Sequence, residues 1–324
     1  MAKFKIMAMA GGLGTTLSSM LHGLNNTLHG TLKDYMNHVD LFAGTSVGAM
    51  TALFFANHED PSEALNDWDN FTQQAFQDVM KAENLPSLVG AFLGFNSIFN
   101  VQQLREFLIR YFGKDLRLGE LKKKVLIVSF QLDSGLPGNA RRWQPKVFTN
   151  FDGEADNDQL VVDVALRTSA LPIGYPLYQS LAGTGPGYVD GFVVANNPSM
   201  IAITQMMDQV PLDNMLLLAI TTGANIIGKT MYLDPQFSDG LAAWGYRQWM
   251  LDPSRPLLLL DLMSQANGET VSYQSRKLLG DRYHVLNPPL VNELVPDDAE
   301  TKRLLQETAD WLKASGWYDP ALAA

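Results

Sequence analysis

The stretch Val39-Asp40-Leu41-Phe42-Ala43-Gly44-Thr45-Ser46-Val47-Gly48-Ala49-Met50 decides how the rest of the chain is read. Val39, Leu41 and Phe42 form a short apolar run suited to a buried strand, while Val47, Met50 and Phe54 recur at helical spacing. Between them, Gly44 to Gly48 has the G-x-S-x-G spacing of a nucleophile elbow, a sharp strand-to-helix turn that holds a serine hydroxyl in the open. Glycines flank such a serine because a Cβ there would collide with neighbouring backbone. The pattern alone fits equally a tight glycine turn with an incidental serine, so its surroundings decide.

Upstream, Phe4, Ile6 and Met7 to Ala10 predict a buried strand that ends at Gly11-Gly12-Leu13-Gly14. Leu17, Leu21, Leu24 and Leu28 then mark one face of a helix, with Thr15 or Thr16 as its cap. Glycines between a strand end and a helix start leave backbone N–H groups aimed at whatever anion sits there. Neither phosphate-loop spacing, G-x-x-x-x-G-K-[ST] or G-x-G-x-x-G, is present, whereas an oxyanion hole needs only two exposed amides near a nucleophile. The nearness of Ser46 favours the oxyanion hole.

Downstream, Pro61 to Met80 reads as a helix with Trp68, Phe71, Phe76 and Met80 as core points, and Val101 to Phe112 as another on Leu104, Phe107, Leu108 and Tyr111. Leu85 to Phe99 is apolar and almost uncharged, and suits a mobile cover over an apolar pocket, a surface for lipid, or ordinary core. Val125 to Leu132 predicts a strand, Arg141 and Arg142 fall in a loop that suits solvent better than a headgroup site, and Val161 to Ala170 resumes helical periodicity. Asp190 is expected on a turn between two short β-like runs, followed by a helix with Asn197 as N-cap and Pro198 at the first helical position. Met215 to Ile220 is a strand apolar on both faces, Pro253 to Leu279 supplies one or two helices, Tyr283 to Leu286 a last strand, and Asp298 to Lys313 a terminal helix.

Composition narrows the function. Lys and Arg number 24 against 34 Asp and Glu, a formal net charge of -10, which argues against nucleic acid as a partner because phosphate binding needs clustered cations. The absence of cysteine removes any disulfide, thiolate metal site or thiol nucleophile, and no other ligand cluster predicts a metal or cofactor. The longest apolar stretch, Leu85 to Phe99, is broken by Pro86, Gly90, Gly94 and Asn96 and falls short of the ~20 residues of a membrane span. Lys3 to Ala10 reads as a first strand rather than a signal peptide, so the expected location is cytoplasmic or peripheral to a membrane. Strands alternating with helices predict one α/β domain over 1–324, its motifs within about 4–225 and a helical and strand extension over 226–324.

With Ser46 and Asp190 placed, the chain resembles the patatin-like phospholipases, serine acyl hydrolases with a Ser-Asp dyad on an α/β sheet. The likeness rests on Ala10-Gly11-Gly12-Leu13-Gly14-Thr15 after the first strand, Gly44 to Gly48, and Asp190-Gly191 ahead of Asn196-Asn197-Pro198, with Ser169-Ala170 and Pro172 leading towards the aspartate. Several motifs in the right order are far more specific than any one. The resemblance implies a central, mostly parallel sheet flanked by helices, Ser46 as nucleophile, Asp190 as base, and the amides of Gly11 and Gly12 as oxyanion hole. It implies a lipid or other ester as substrate, met at a membrane surface or free, with no cofactor. Gly14 stands where the family usually has Arg or Lys, which removes a positive field from the oxyanion side, and Phe192 stands where a small residue is common.

An unperturbed carboxylate is a feeble base, so this reading requires burial to raise the pKa of Asp190 or a close Ser-Asp hydrogen bond. Three other readings stay open on the residues: a Ser46-Asp190-His284 triad of the α/β-hydrolase order, acyl transfer to a carrier, and a catalytically weak lipid-binding module.

Overall fold

The computed structural model describes residues 3–12, 16–61, 63–65, 67–68, 70–72, 99–225, 237–250, 258–292, 295–296 and 298–318. Leu13, Gly14 and Thr15, Phe76 and Met80, and nearly all of the Leu85 to Phe99 stretch lie outside these residues.

The sheet is assembled from β1 (Phe4–Met9), β2 (Leu41–Thr45), β3 (Lys124–Gln131), β4 (Gln144–Thr149), β5 (Tyr188–Asp190), β6 (Met215–Ile220) and β8 (Tyr283–Leu286). Its order is β4-β3-β2-β1-β6-β8, with β5 also paired to β3. β1, β2, β3, β6 and β8 run parallel, and β4 and β5 lie antiparallel to β3. Beside it, β7 (Ala224–Asn225), β9 (Pro289–Asn292) and β10 (Val295–Pro296) form a small second sheet.

Alternation along the strands explains why the apolar runs are continuous. Met7 and Met9 of β1, with Phe42 of β2 and Leu218 of β6, join one core cluster with α1 (Thr16–Thr27), α3 (Val47–Ala56), α4 (Val101–Phe112), α5 (Val161–Thr168) and α10 (Asp298–Ala314). Ile6, Ala8, Leu41, Ala43, Leu217 and Ala219 point the other way, onto Ala202, Ile203 and Met206 of α7 (Ser199–Met206). Helices on both faces leave no side of the central strands for polar residues. The leucine face of α1 is buried as its spacing predicts. Trp68 and Phe71 sit in an aromatic cluster with Phe54, Phe55 and Phe107, with ring centroids 4.5 to 5.5 Å apart for the pairs among them that involve Phe71 or join Trp68 to Phe54 and Phe55.

Two local expectations need correction. The run after Asp190 is not a strand: Phe192–Ala195 makes a helical turn, α6, because the chain leaves β5 by turning under Asp190. The next helix starts at Ser199, one residue later than expected, so Pro198 and not Asn197 takes the cap position; Asn197 stands just before it, its Oδ1 accepting the Ser199 N–H at 3.0 Å.

Candidate active site

Strand pairing along β3 brings the two halves of the site together. β2 holds one edge of β3 from Lys124 to Val128 and stops at Thr45, opposite Val128. β4 occupies the other edge, so β5 takes up the track that β2 has left, running the opposite way and stopping at Asp190, opposite Ser129. The C-terminal ends of β2 and β5 therefore meet, and the residues that follow them, or end them, are Ser46 and Asp190.

Ser46 has φ 55° and ψ -123°, a conformation that a residue with a Cβ rarely adopts, and it separates β2 directly from α3. Its neighbours make room for it. A Cβ on Gly48 would lie 2.1 Å from the Met9 carbonyl oxygen, and one on Gly44 2.4 Å from the Ala49 Cα, both backbone atoms that cannot move aside alone. The turn is fastened at two further points. The Ser46 N–H donates to Thr168 Oγ1 at 3.0 Å, whose own hydroxyl donates to the Val128 carbonyl, and Thr45 Oγ1 donates to the Ala195 carbonyl at 2.7 Å. Thr168, the last residue of α5, thus ties the elbow to β3. Nothing in the sequence marks it, since the contact spans more than a hundred residues.

Asp190 is 1 % exposed. One carboxylate oxygen, Oδ1, accepts the Phe192 N–H at 2.9 Å; the other, Oδ2, is buried with no hydrogen-bond partner among the described residues. Burial pushes its pKa up from 3.8 to about 7, against the smaller lowering effects of the Phe192 N–H and the nearby Ser46 hydroxyl. The serine is thus near enough to be felt by the carboxylate without closing a bond of good geometry to Oδ2. Asp190 is set in place by its own N–H, which donates to the Ala170 carbonyl at 2.9 Å, and Gly191 packs so tightly on Val128 that an added Cβ would lie 2.1 Å from its carbonyl oxygen.

The glycine loop after β1 lies against the elbow, as the backbone at Gly11 shows: a Cβ there would be 2.8 Å from the Cβ of Ser46. The Gly11 N–H donates to the Asn196 carbonyl at 3.3 Å, a long bond, while the Gly12 N–H has no acceptor among the described residues. Thr222, just past β6, donates its hydroxyl to the Gly11 carbonyl at 2.7 Å and fills the space a Gly12 side chain would need. Asn196 is braced in turn by Asn267 of α9 (Leu258–Leu279), whose Oδ1 accepts the Asn196 N–H at 3.2 Å and whose amide nitrogen donates to the Val194 carbonyl at 2.9 Å. Asn267, Thr222 and Thr168 support the site from distant parts of the chain, and no spacing rule finds them.

His284 belongs elsewhere. On β8 its Nε2 lies 2.9 Å from Thr308 Oγ1 and its ring stacks on Trp311 at 5.2 Å, both on α10. Burial lowers its pKa from 6.5 to about 4. These partners account for the histidine without Asp190, and the order Ser, Asp, His along the chain is a coincidence of sequence. In the hairpin loop after β3, Arg141 pairs with Asp133 in solvent, as a loop position suggests. Phe192 is buried, and its contribution to the acid is its backbone N–H. No group of three His, Asp or Glu among the described residues is placed to hold a metal ion.

The family model described as patatin-like phospholipase matches residues 10–203, which include the glycine loop, the elbow and Asp190. CotR of Bacillus subtilis is 31% identical over 327 residues, covering 94% of this chain and 93% of its own. The protein teg of Priestia megaterium is 30% identical over 313 residues, covering 90% of each. A protein of Pseudomonas aeruginosa named cGAMP-activated phospholipase is 25% identical over 310 residues, 94% of this chain and 83% of that one. This chain belongs to the patatin-like phospholipase family.

Proposed function

We propose that the protein is a serine acyl hydrolase that cleaves carboxylic ester bonds of lipids through a Ser46-Asp190 dyad. The observation that carries this reading is the buried carboxylate of Asp190, with a pKa of about 7 and an unpartnered oxygen beside the serine of a strained turn. A base poised near neutrality takes a proton from an alcohol far better than an ordinary aspartate does.

In the proposed reaction Ser46 Oγ attacks the ester carbonyl carbon as its proton passes to Asp190. The oxyanion is received by the Gly12 N–H and by the Gly11 N–H, whose long bond to Asn196 gives way to a charged acceptor. Collapse of the tetrahedral species expels the alcohol, which takes the proton from Asp190. Water then gives a proton to the same carboxylate and attacks the acyl carbon, and as the bond to Ser46 Oγ breaks the serine oxygen takes that proton back from Asp190 and the acid leaves. A phospholipid substrate is supported by the family and by the name of the Pseudomonas aeruginosa relative.

Ser46→Ala and Asp190→Asn each test the dyad on a soluble nitrophenyl ester. A loss of about 10³-fold or more in kcat is expected for both, because such residues act as a unit. Near-normal turnover in either variant excludes it. Covalent labelling of Ser46 by a fluorophosphonate, with no labelling in the Ser46→Ala variant, separates a hydrolase or transferase from a lipid-binding module.

A further inference from the structure

The two ends of the sheet differ in charge. The parallel strands finish at the end that carries Ser46, and the β3–β4 connection (132–143) and the stretch entering β5 (169–187) lie at that end, since β3 leaves and β5 enters there. The connection from β6 to α9 leaves from the same end and returns to it. α9 finishes at Leu279, just before β8 begins at the far end, and its 22 residues extend back about 33 Å. Across 132–143, 169–187, 221–225, 237–250 and the first ten residues of α9 there are only six charged residues, Asp133, Arg141, Arg142, Asp239, Arg247 and Asp261, three of each sign. At the opposite end the much shorter spans 38–40, 113–123, 150–160, 207–214 and 280–282 hold fifteen.

Exposed apolar side chains follow the same division. Eight large hydrophobic residues among those described are more than half exposed. Six of them, Trp143, Leu177, Phe237, Leu241, Tyr246 and Met263, belong to the catalytic end; Leu241 is the most open at 77%. Trp143 and Leu177 stand on two different connections, Phe237, Leu241 and Tyr246 on the one from β6 to α9, and Met263 near the start of α9; two of the six are aromatics with a polar edge, the type that sits at the level of lipid headgroups. A chain with net charge -10 has thus gathered its neutral, greasy surface around the mouth of its candidate site.

We propose that the catalytic end is a docking face for a lipid bilayer with zwitterionic headgroups, entered by Trp143, Leu177, Phe237, Leu241, Tyr246 and Met263. This builds on the hydrolase reading, since it turns the elbow towards the layer that holds the ester. Over these described spans the face carries no net charge to be attracted or repelled, so docking is driven by apolar burial and is insensitive to salt, while the rest of the protein is repelled by anionic lipid over a Debye length of ~8 Å at physiological salt.

Flotation with phosphatidylcholine vesicles tests this on Ser46→Ala protein, in which no product is formed. The parent binds, and added salt leaves binding unchanged. Replacing both Trp143 and Leu241 by Glu weakens binding about a hundredfold, roughly tenfold for each buried side chain lost. Replacing Met207 and Tyr273 by Glu, the two open hydrophobics elsewhere, leaves it as in the parent. With Ser46 intact, the Trp143→Glu, Leu241→Glu protein keeps its rate on a soluble short-chain ester while losing its rate on vesicles. If that variant melts below the parent, Leu177→Glu with Tyr246→Glu replaces it.

A parent that does not bind phosphatidylcholine overturns the proposal, as does equal weakening by the two double variants. A concentration-dependent dimer in ultracentrifugation, abolished only by the substitutions at Trp143 and Leu241, also overturns it and gives the face to a second copy of the chain. Vesicle binding that follows the expected pattern in a protein with no esterase activity would instead leave docking standing and remove the hydrolase reading.

Discussion

A buried aspartate without a counter-charge destabilises a protein once it ionises, and Asp190 has this cost built in. Its carboxyl titrates at about 7 in the fold and at 3.8 when free, so the native state holds the proton more tightly than the unfolded chain does between those values. Its contribution to stability is therefore fully present below 3.8 and is lost as pH rises through about 7, at ~1.4 kcal/mol per unit. Asp190→Asn keeps an oxygen for the Phe192 N–H and removes the ionisation. It should melt higher than wild type at pH 8, with the gap closing towards pH 4; a gap that does not change with pH would mean that the carboxyl is solvated. The same titration predicts that kcat/KM on a soluble ester rises with pH to a plateau, with an apparent pKa of about 7, since only the ionised form accepts the serine proton. A profile already flat from pH 5 upward would remove Asp190 as the base. The sequence made legible only a choice, because a dyad without histidine demands either a raised pKa at Asp190 or a close Ser-Asp hydrogen bond. The residues that hold Asp190 in place, Ala170 and the Phe192 amide, were not marked as such, because their contacts are made by backbone atoms that carry no side-chain signature.

At the scale of elements, β2, the elbow and α3 could be read because each obeys a local rule: alternation or a continuous apolar run for a buried strand, and recurrence every three to four residues for a helix. Where a long-range contact overrides the local pattern, the rule fails. Phe192-Val193-Val194 has strand composition, yet it turns helical because Gly191 is pressed onto Val128 and the chain must bend beneath Asp190. Thr168 was legible only as one residue of the helical stretch Val161 to Ala170, not as a support of the elbow. Two glycines separate close packing from ordinary helix propensity. Gly48→Ala sets a Cβ 2.1 Å from the Met9 carbonyl oxygen, in the backbone of the central strand β1, so the elbow must shift. It should destabilise by at least about 1–3 kcal/mol and lose most of its esterase activity. Gly268 of α9 has nothing within 4 Å of its added Cβ, and Gly268→Ala should stabilise by about 0.5–1 kcal/mol with activity unchanged. Chemical denaturation of both variants checks the pair; equal effects would mean that the backbone contact at Gly48 is not tight.

On the whole-molecule scale, the α/β alternation predicted the layered sheet, but strand order and the position of each edge come from pairings that no single stretch encodes. Pairings of this kind cross the expected boundary between motifs within about 4–225 and an extension over 226–324. β8 forms hydrogen bonds with β6 along the sheet, and α10 packs on α1, with Leu305, Ala309 and Leu312 buried in the same cluster as Leu21 and Leu24. Trp317 is 1% exposed and its indole N–H donates to the Tyr35 carbonyl at 2.9 Å, which anchors the last described turn to α2 (Leu32–Asn37). Asn267 reaches from α9 to the loop beside Gly11. We propose that residues after 225 are a structural part of the same folding unit. A chain cut after Asn225 would leave β6 with an open edge and uncover the side of α1 at Gly23 on which Leu305 packs, a loss of apolar contact to be set against the 5–15 kcal/mol that ordinarily keeps a protein folded. It should be recovered insoluble or without a cooperative melt, and without esterase activity, even though the family model ends at residue 203. A soluble 1–225 chain with a cooperative transition and full turnover on a soluble ester would make the C-terminal region a separable unit and assign the Asn267 contact no part in holding the site.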